Sequence, residues 1–537
     1  MSRFNNIAET IFEKTNTDKI YTYPGTPGQH LYKYVKKKPE LEIQQVVREQ
    51  HLLHLAQTRY YNKLEEGEKE IPVVVVSGAM GEGMASQPLI AGTISAPILM
   101  IVTESIFEHK GNDNNTVYQS GRGKTPEKIE DREILREHDN VERRVLFRDS
   151  DNLNEIKEMI EDIQEEKGVG VLHLPWYAYE EKNQEYNKLV DEQPETITAE
   201  EVKKEWDNSE KPIIHVGRGI KEPEKRELIQ KIARKSGATI TSTWQMDGYF
   251  KENFAGSLGV CGTPSANEAF HRSDLVLALG TSLNNLQTSL NPDKMKEFKD
   301  KVIQLSGSSR NNSYITKKQS EEDIKTVLEA LENLEGSQWF EFDNYGLDYF
   351  EEEIPDNMKA VSEIFREEFS DRVITLGVGN AMIWLSAALG PEIKKETSRT
   401  GSMGEAISGL NRENKPVIVL GDGEFEMDIS IIPEALEQNS NATIIITWNK
   451  RLGLVTERQE KKTGEILTPK SEYINYEEIG KGFIGVKSHL VESPKEIKNT
   501  LRECLDSNRV DIVTIPIEEK ISSEIFDLSR LPKLSDN

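Results

Sequence analysis

The stretch PVIVLGDGEFEMD at residues 416–428 places an apolar run directly before a carboxylate flanked by glycines. A second apolar run, ATIIITW, ends at Trp448 and is followed by Asn449. Short apolar runs of this kind are typical of buried parallel strands, and ligands of such sheets bind beyond the carboxyl ends of the strands. We therefore expect Asp422 and Asn449 to meet at one edge of a sheet.

These two side chains and one backbone group have the chemistry of a magnesium site. Asp422 offers a carboxylate, Asn449 an amide oxygen, and Arg451 a backbone carbonyl just beyond it. Mg²⁺ prefers such hard oxygen ligands and fills its remaining positions with phosphate oxygens and water. Gly-Asp-Gly alone is also common at ordinary strand-to-helix turns, but the asparagine at a second strand end favours the metal.

The same alternation of strand and helix patterns runs along the whole chain. It predicts an α/β fold in which each domain has a mostly parallel sheet flanked by helices. Polar, charge-dense stretches near residues 180–201 and 335–355 separate the patterned segments. We therefore predict three domains, at residues 1–180, 198–335 and 355–537.

The charge balance excludes some classes of function. The 537 residues include 67 Lys and Arg against 93 Asp and Glu, a net charge of −26. Such a surface repels phosphate backbones and anionic lipids, so we expect no nucleic-acid partner and no membrane partner. The acidity suits either growth in high salt or an ordinary Glu/Lys-rich surface.

Apolar patterning and cysteine content bear on the cellular compartment. No apolar run approaches the ~18–20 residues needed to cross a bilayer, and the first residues lack the apolar core of a secretory signal. The chain has two cysteines, Cys261 and Cys504, which fits a reducing compartment. We therefore expect a cytoplasmic enzyme.

The segment from Gly421 to Asn449 resembles the thiamine diphosphate motif of the superfamily that includes acetolactate synthase, pyruvate decarboxylase and benzoylformate decarboxylase. That motif runs Gly-Asp-Gly, about 25 residues, then Asn. The resemblance, which is nearest to acetolactate synthase-like proteins, implies thiamine diphosphate and Mg²⁺ as cofactors. It assigns Asp422, Asn449 and the carbonyl of Arg451 to the metal. It assigns the neighbouring residues Gly421, Gly423 and Glu424 to cofactor binding.

A second match lies at residues 47–56, VREQHLLHLA, which resemble the helix start that carries the family's catalytic glutamate. The resemblance implies that Glu49 shares a proton with N1′ of the aminopyrimidine of the cofactor. A carboxyl shielded from water should have a raised pKa, which suits this role. Taken alone, Glu49 would be an ordinary helix residue, so the metal motif is what favours catalysis.

Shorter matches extend the resemblance over nearly the whole chain, in the order pyrimidine-binding, central and diphosphate-binding domain. They lie at residues 23–28, 77–83, 257–263, 273–281, 377–380 and 402–404. Three of these matches imply contacts with the cofactor. They are a turn near the N-terminus, a glycine-rich turn after a strand, and a bulky residue that supports the bent conformation of the cofactor. The residues assigned in this way are Pro24, Gly25, Gly377, Gly379, Asn380 and Met403.

Two segments depart from the acetolactate synthase pattern. His215–Gly219 could offer amides to a flavin phosphate, but the acidic signature common in flavin-dependent members is missing after the strand KVIQLSG, so FAD is doubtful. The loop at residues 108–115 follows an apolar strand, and its His109 could transfer protons in catalysis. A plain polar surface loop is the alternative interpretation.

The resemblance implies decarboxylation of a small-molecule 2-oxo acid. The fragment then either joins a second carbonyl, as in acetolactate synthase, or is released as an aldehyde. The central-domain matches favour carboligation, whereas the missing flavin signature and the His109 loop favour release. The resemblance also implies a homodimer or homotetramer in which Glu49 of one chain meets Asp422 and Asn449 of another. A catalytically silent subunit and a binding protein with a coincidental motif remain as alternatives.

Overall fold

A computed structural model describes most of the chain outside several loops and the two termini. Among the described residues, no helix is both long and apolar enough to span a membrane. The described residues are 3–23, 29–46, 48–77, 85–90, 94–104, 141–146, 153–166, 168–175, 194–220, 222–259, 262–281, 283, 298–305, 316, 318–320, 322–341, 354–369, 372–390, 392–397, 405–411, 415–466, 472 and 474–518.

The first sheet has six parallel strands. In spatial order they are β2 (Glu42–Gln45), β1 (Lys19–Thr22), β3 (Val73–Ser77), β4 (Ile98–Glu104), β6 (Val169–Pro175) and β5 (Val141–Leu146). Its helices are α1 (Arg3–Thr15), α2 (Gln29–Lys36), α3 (Leu52–Glu65), α4 (Gln87–Ile90) and α5 (Leu153–Glu166), and a 3₁₀ turn, Glu49–His51, precedes α3. Alternate residues of β3 and β4 enter two separate hydrophobic cores, so both faces of the sheet are covered.

The second sheet has seven parallel strands. In spatial order they are β10 (Phe254–Ser257), β9 (Thr239–Ser242), β8 (Pro212–Val216), β11 (Leu275–Leu279), β12 (Val302–Leu305), β13 (Lys318–Gln319) and β7 (Glu195–Thr196). The helices are α6 (Ala199–Asp207), α7 (Pro223–Ser236), α8 (Pro264–Arg272) and α9 (Ile324–Leu331), with 3₁₀ turns at Trp244–Met246 and Lys299–Lys301. A capping box at Thr198 and Glu201 fixes the start of α6.

The third sheet has six parallel strands. In spatial order they are β15 (Lys395–Thr397), β14 (Ile374–Leu376), β16 (Val417–Gly421), β17 (Thr443–Trp448), β19 (Val510–Pro516) and β18 (Val486–Leu490). The helices in this part of the sequence are α10 (Asp356–Glu368), α11 (Asn380–Leu389), α12 (Asp422–Met427), α13 (Ile431–Glu437), α14 (Gly453–Thr463) and α15 (Pro494–Asp506), with 3₁₀ turns at Glu405–Asn411 and Ile479–Gly482. The predicted α/β class with parallel sheets is confirmed.

By internal contacts the chain forms two compact units. One holds the first sheet together with residues 454–466, and the other holds the second and third sheets. The domain limits at 1–180, 198–335 and 355–537 stay predictions. Two observations bear on the central limits: β7 joins the second sheet ahead of residue 198, and Phe340, beyond residue 335, is buried in a core of that sheet.

Candidate active site

Three neighbouring strands of the third sheet end at the same edge, and the candidate residues follow them. β14 leads into Gly377 and Gly379, after which α11 begins at Asn380. β16 ends where α12 begins, at Asp422, and β17 ends directly before Asn449. β16 pairs with both β14 and β17 in parallel, so all three turns lie side by side, as the strand-end rule predicts.

Asp422 is the best-buried acid of this edge, at 2% exposure. Its Oδ1 accepts the N–H of Gly423 at 2.9 Å, and its Oδ2 accepts the N–H groups of Asn449 at 3.1 Å and Lys450 at 2.6 Å. Burial raises the pKa of Asp422 to about 7, against the lowering effect of these amides. A buried carboxylate of this kind gains stability from a bound cation, and its oxygens retain lone pairs to ligate one.

The loop after β17 is shaped by its backbone. Lys450 has φ +63°, a left-handed conformation that is costly for a side chain other than glycine. This turn lets the amides of residues 449 and 450 reach the same oxygen of Asp422. Asn449 Oδ1 in turn accepts the N–H of Arg451 at 3.2 Å. Hydrogen bonds thus connect the three expected metal-binding residues, Asp422 at the start of α12 and Asn449 and Arg451 in the loop after β17.

Two asparagine amides converge beside this loop. A Cβ placed on Gly453 would lie 2.5 Å from Asn449 Nδ2 and 2.9 Å from Asn380 Nδ2. Asn380 Oδ1 is buried and has no hydrogen-bond partner among the described residues. An unsatisfied buried acceptor is costly, so this oxygen fits a site completed by a cation or by a donor group of a ligand. The residues present are therefore compatible with a metal-bound diphosphate.

The glycines of the site differ in what surrounds them. Gly379 adopts φ +112°, which favours glycine, just ahead of α11. A Cβ on Gly421 would meet no atom within 4 Å, whereas one on Gly423 would overlap the tip of Leu452. The open space over Gly421 is of the kind that a ligand could fill.

Glu424 supports the turn after β14. The side chain is 3% exposed, and its Oε2 accepts the N–H of Val378 at 2.7 Å. A Cβ on Gly377 would overlap this carboxylate, so Gly377 is needed for its close approach. The geometry makes Glu424 a residue that holds the glycine turn in place, and its predicted direct contact with a cofactor stays a prediction.

Sequence reasoning missed a partly buried acid–hydroxyl pair that involves α12. The hydroxyl of Tyr476 donates to Glu426 Oε1 at 3.3 Å, and the ring packs against Phe425 and Trp448. Burial, and next the charge of Glu426, raise the pKa of Tyr476, so its hydroxyl keeps its proton. Glu426 follows Asp422 by four residues on α12, a spacing that could have flagged it. Tyr476 had no comparable signal.

Glu49 lies in the compact unit of the first sheet, in the 3₁₀ turn ahead of α3. Its Oε2 is buried and has no hydrogen-bond partner among the described residues. Burial raises the pKa of this carboxyl, which is the direction expected from the sequence for a group that exchanges a proton with the cofactor. The predicted residues Pro24, Gly25, His109 and Met403 lie outside the described residues.

The glycines considered for a flavin phosphate have a packing role. A Cβ on Gly219 would lie 2.6 Å from Gly280 Cα, and one on Gly217 would overlap the Gly280 carbonyl. His215 is fully buried, with Nδ1 3.0 Å from Thr241 Oγ1, and burial lowers its pKa to about 3. Contacts between chain segments thus explain this stretch, and these residues do not support the fit of a flavin.

Comparison with known proteins matches two segments of this chain to family models. Residues 200–331 match the central domain of thiamine pyrophosphate enzymes, and residues 377–515 match their C-terminal TPP binding domain. The second segment contains every described residue of the strand-end site.

Curated relatives are similar at low identity. The Bacillus subtilis protein YdaP, whose name describes it as thiamine pyrophosphate-containing, is 25% identical over 58% of this chain and 57% of its own length. The mitochondrial acetolactate synthase catalytic subunit of Saccharomyces cerevisiae is 22% identical over 58% and 51%. A 3D-(3,5/4)-trihydroxycyclohexane-1,2-dione hydrolase of Halalkalibacterium halodurans is 24% identical over 63% and 62%. The chain therefore spans between half and two thirds of the length of these relatives.

Proposed function

The chain belongs to the thiamine pyrophosphate enzymes, and from that premise we propose an acetolactate synthase-like activity. It would decarboxylate a small-molecule 2-oxo acid and join the remaining fragment to a second carbonyl compound, using thiamine diphosphate and Mg²⁺. The observation that carries the proposal is the meeting of Asp422, Asn449 and Asn380 at three adjacent strand ends within the matched C-terminal segment. Similarity to acetolactate synthases adds support.

The chain's own residues are suited to hold the cofactor's diphosphate through a metal. Asp422, the amide oxygen of Asn449 and the carbonyl of Arg451 would bind Mg²⁺, and Asn380 Oδ1 would gain a partner. The N-terminal amides of α11 would face the phosphate, where the helix dipole favours negative charge. Because the protein carries a net charge of −26, a divalent cation at the site would offset the repulsion of a diphosphate.

Glu49 would provide the proton chemistry. Thiamine diphosphate, when bound, supplies the electron sink that breaking and making carbon–carbon bonds requires. A carboxyl whose pKa is raised by burial can both hold and release a proton near neutral pH. The unpartnered Oε2 of Glu49 is the atom from which a proton would pass to and from the aminopyrimidine ring.

We further propose that the active form is a homo-oligomer with sites shared between chains. Mixing Glu49→Gln and Asp422→Asn subunits tests this, because a shared site regenerates one intact pairing in each mixed dimer. Mixtures should recover activity that neither variant has alone. Recovery that never exceeds either variant would place both residues in one chain and overturn the shared arrangement.

The reaction itself is tested by a product profile. Purified protein receives thiamine diphosphate and Mg²⁺ with either a panel of 2-oxo acids and acceptor carbonyls or a cyclic 1,2-dione, at low and high salt, and products are identified by mass spectrometry. We expect acetolactate-type products from the wild type, none from Glu49→Gln, and unchanged products from Glu65→Gln on the exposed end of α3. Free aldehydes would indicate a decarboxylase, and turnover of a cyclic 1,2-dione alone would indicate a hydrolase.

A binding measurement separates the cofactor from the reaction. Calorimetry should show thiamine diphosphate binding that requires Mg²⁺ and is lost in Asp422→Asn, with Asp356→Asn as the matched exposed control. Failure of the wild type to bind thiamine diphosphate at any Mg²⁺ concentration would overturn the proposal as a whole.

A further inference from the structure

A buried ion pair joins the second and third sheets within one compact unit. Lys395 Nζ lies 2.9 Å from Asp247 Oδ2, and the side chains are 1% and 0% exposed. Asp247 follows the 3₁₀ turn Trp244–Met246 of the second sheet, and Lys395 begins β15 of the third. Burying two charges costs desolvation free energy that their attraction barely offsets, so stability alone is a weak reason for such a pair.

The same lysine holds one end of α11. Its Nζ donates to the carbonyl of Ser386 at 3.2 Å and to that of Gly390 at 2.8 Å, while Arg366 donates to the carbonyl of Ala388. These carbonyls belong to the last turn of α11 and its cap, where helix carbonyls lack partners within the helix. Two cations therefore satisfy the negative end of this helix dipole.

The other end of α11 lies at the candidate site. The helix begins at Asn380, whose amide converges with that of Asn449. Ten helical residues span about 15 Å and behave as one rigid element. A displacement of the carboxyl end of α11 is therefore transmitted to the turn that is expected to bind the diphosphate.

Asp247 is held in the second sheet by a hydroxyl group and by close packing of the neighbouring backbone. Ser242 Oγ lies 3.4 Å from Asp247 Oδ1, within the buried part of the second sheet. The next residue, Gly248, has φ +74°, and a Cβ there would lie 2.8 Å from the backbone nitrogen of Lys394. The turn of the second sheet thus packs directly against the segment that leads into β15.

We propose that Asp247 is a positioning residue for the diphosphate-binding turn: it holds Lys395, which holds the carboxyl end of α11 and so fixes Asn380. The central sheet thereby acts on cofactor binding without touching the cofactor. This inference rests on the proposed function for its ligand, but the coupling itself is a property of the apo chain.

Hydrogen exchange of the apo protein tests the coupling without any cofactor. Asp247→Asn leaves the charge of Lys395 buried without its partner, so amides of α11 should exchange faster than in the wild type. Val327→Ala, in the buried core of α9 on the same sheet, is the matched control for a general loss of stability. It should lower the melting temperature without selectively speeding exchange in α11.

Thiamine diphosphate affinity in the presence of Mg²⁺ tests the consequence. Asp247→Asn and Lys395→Met should each raise the Kd by about three- to thirtyfold, the usual range for mutations that act through a coupled element. In the double variant the Kd should rise by less than the product of the two single increases, because no buried charge is left without a partner.

The outcomes separate this inference from the proposed function. Suppose that Asp247→Asn lowers the melting temperature but changes hydrogen exchange in α11 and the Kd for thiamine diphosphate no more than Val327→Ala does. In that case the ion pair only stabilises the fold, and the inference is overturned. If the wild type fails to bind thiamine diphosphate while Asp247→Asn still speeds exchange in α11, the proposed function fails and the mechanical coupling stands.

Discussion

Gly377→Ala is the substitution on which the geometry of the strand-end site can be tested most directly. A Cβ on Gly377 would overlap Glu424 Oε2 and lie 2.8 Å from Glu424 Cδ and 2.9 Å from Leu420 Cδ2. Glu424 cannot move aside without giving up the N–H of Val378, to which it bonds at 2.7 Å. The new methyl group must therefore displace either the glycine turn or the buried carboxylate.

The expected cost follows from two losses. Forcing a methyl group into a filled core costs about 1–3 kcal/mol. Losing a hydrogen bond to a charged group costs about 1.5–3 kcal/mol. Since the protein relaxes through whichever change is cheaper, we expect a loss of about 2 kcal/mol in the free energy of unfolding. That corresponds to a decrease of about 4–8 °C in the melting temperature of the domain.

Differential scanning calorimetry of the apo protein measures this, with Gly421→Ala as the matched control. A Cβ on Gly421 meets no atom within 4 Å and the residue has an extended backbone at φ −77°, so the apo melting temperature should stay unchanged. Gly377→Ala combined with Glu424→Ser should be about as stable as Glu424→Ser alone, because the overlap with the carboxylate is gone and the remaining close atom is the tip of the Leu420 side chain. If Gly377→Ala melts within 1 °C of Gly421→Ala (about the resolution of the measurement), the close packing of Glu424 against this turn is refuted.

Three further outcomes follow from single groups. Burial keeps His215 neutral with its pKa lowered to about 3, whereas the unfolded chain protonates near pH 6.5. Below pH 6.5 the unfolded state therefore binds one proton that the folded state does not bind. The free energy of unfolding should fall by about 1.4 kcal/mol for each pH unit below pH 6.5. Chemical denaturation should show a smaller dependence of this free energy on pH in His215→Gln. Because Lys450 is left-handed, Lys450→Gly should keep the melting temperature of the wild type, while Lys450→Val should lower the free energy of unfolding by about 1–2 kcal/mol. Burial raises the pKa of Cys504 to about 12, so its thiol should stay protonated and unreactive at pH 8. In native Cys261→Ser protein, mass spectrometry should show that iodoacetamide labels Cys504 slowly. Rapid labelling would contradict the buried position.

The apolar and β-rich runs along the sequence predict the four central strands of each sheet but not the strands at the edges. A central parallel strand is covered on both faces, so it appears as a continuous apolar run such as Val73–Val76 or Ile444–Ile446. An edge strand has fewer neighbours and carries polar residues, as in EIQQ and KET, which have no apolar pattern to detect. The missed strands are β2, β5, β7, β10, β13, β15 and β18, which form the sheet edges together with β13 beside one of them.

The sequence predicts those residues of the candidate site whose positions follow from the order of strands in the sheet. Asp422 and Asn449 follow apolar runs directly, so assigning both runs to one parallel sheet was enough to bring them together. The contact of Glu424 with Val378 depends on a side chain that reaches the neighbouring strand end, and the pair of Asp247 with Lys395 joins segments about 150 residues apart. No local pattern marks such partners, because each is chosen by packing after the sheets have formed.

The four carboxylates of residues 422–428 differ in their hydrogen bonding, and this difference distinguishes the predicted metal ligand from the other three. Glu424 accepts from the turn after β14, and Glu426 accepts from Tyr476. Asp428 accepts from Ser430 at the start of α13. Asp422 accepts from the amides of its own strand end and of the next one, so the backbone of two strands fixes its position. A metal ligand requires that placement, since coordination tolerates little displacement of the oxygen atoms. Backbone amides thus hold Asp422 at the sheet edge, whereas the other three carboxylates accept hydrogen bonds from other partners. Asp422 is therefore the carboxylate of this motif that is best suited to bind the cation.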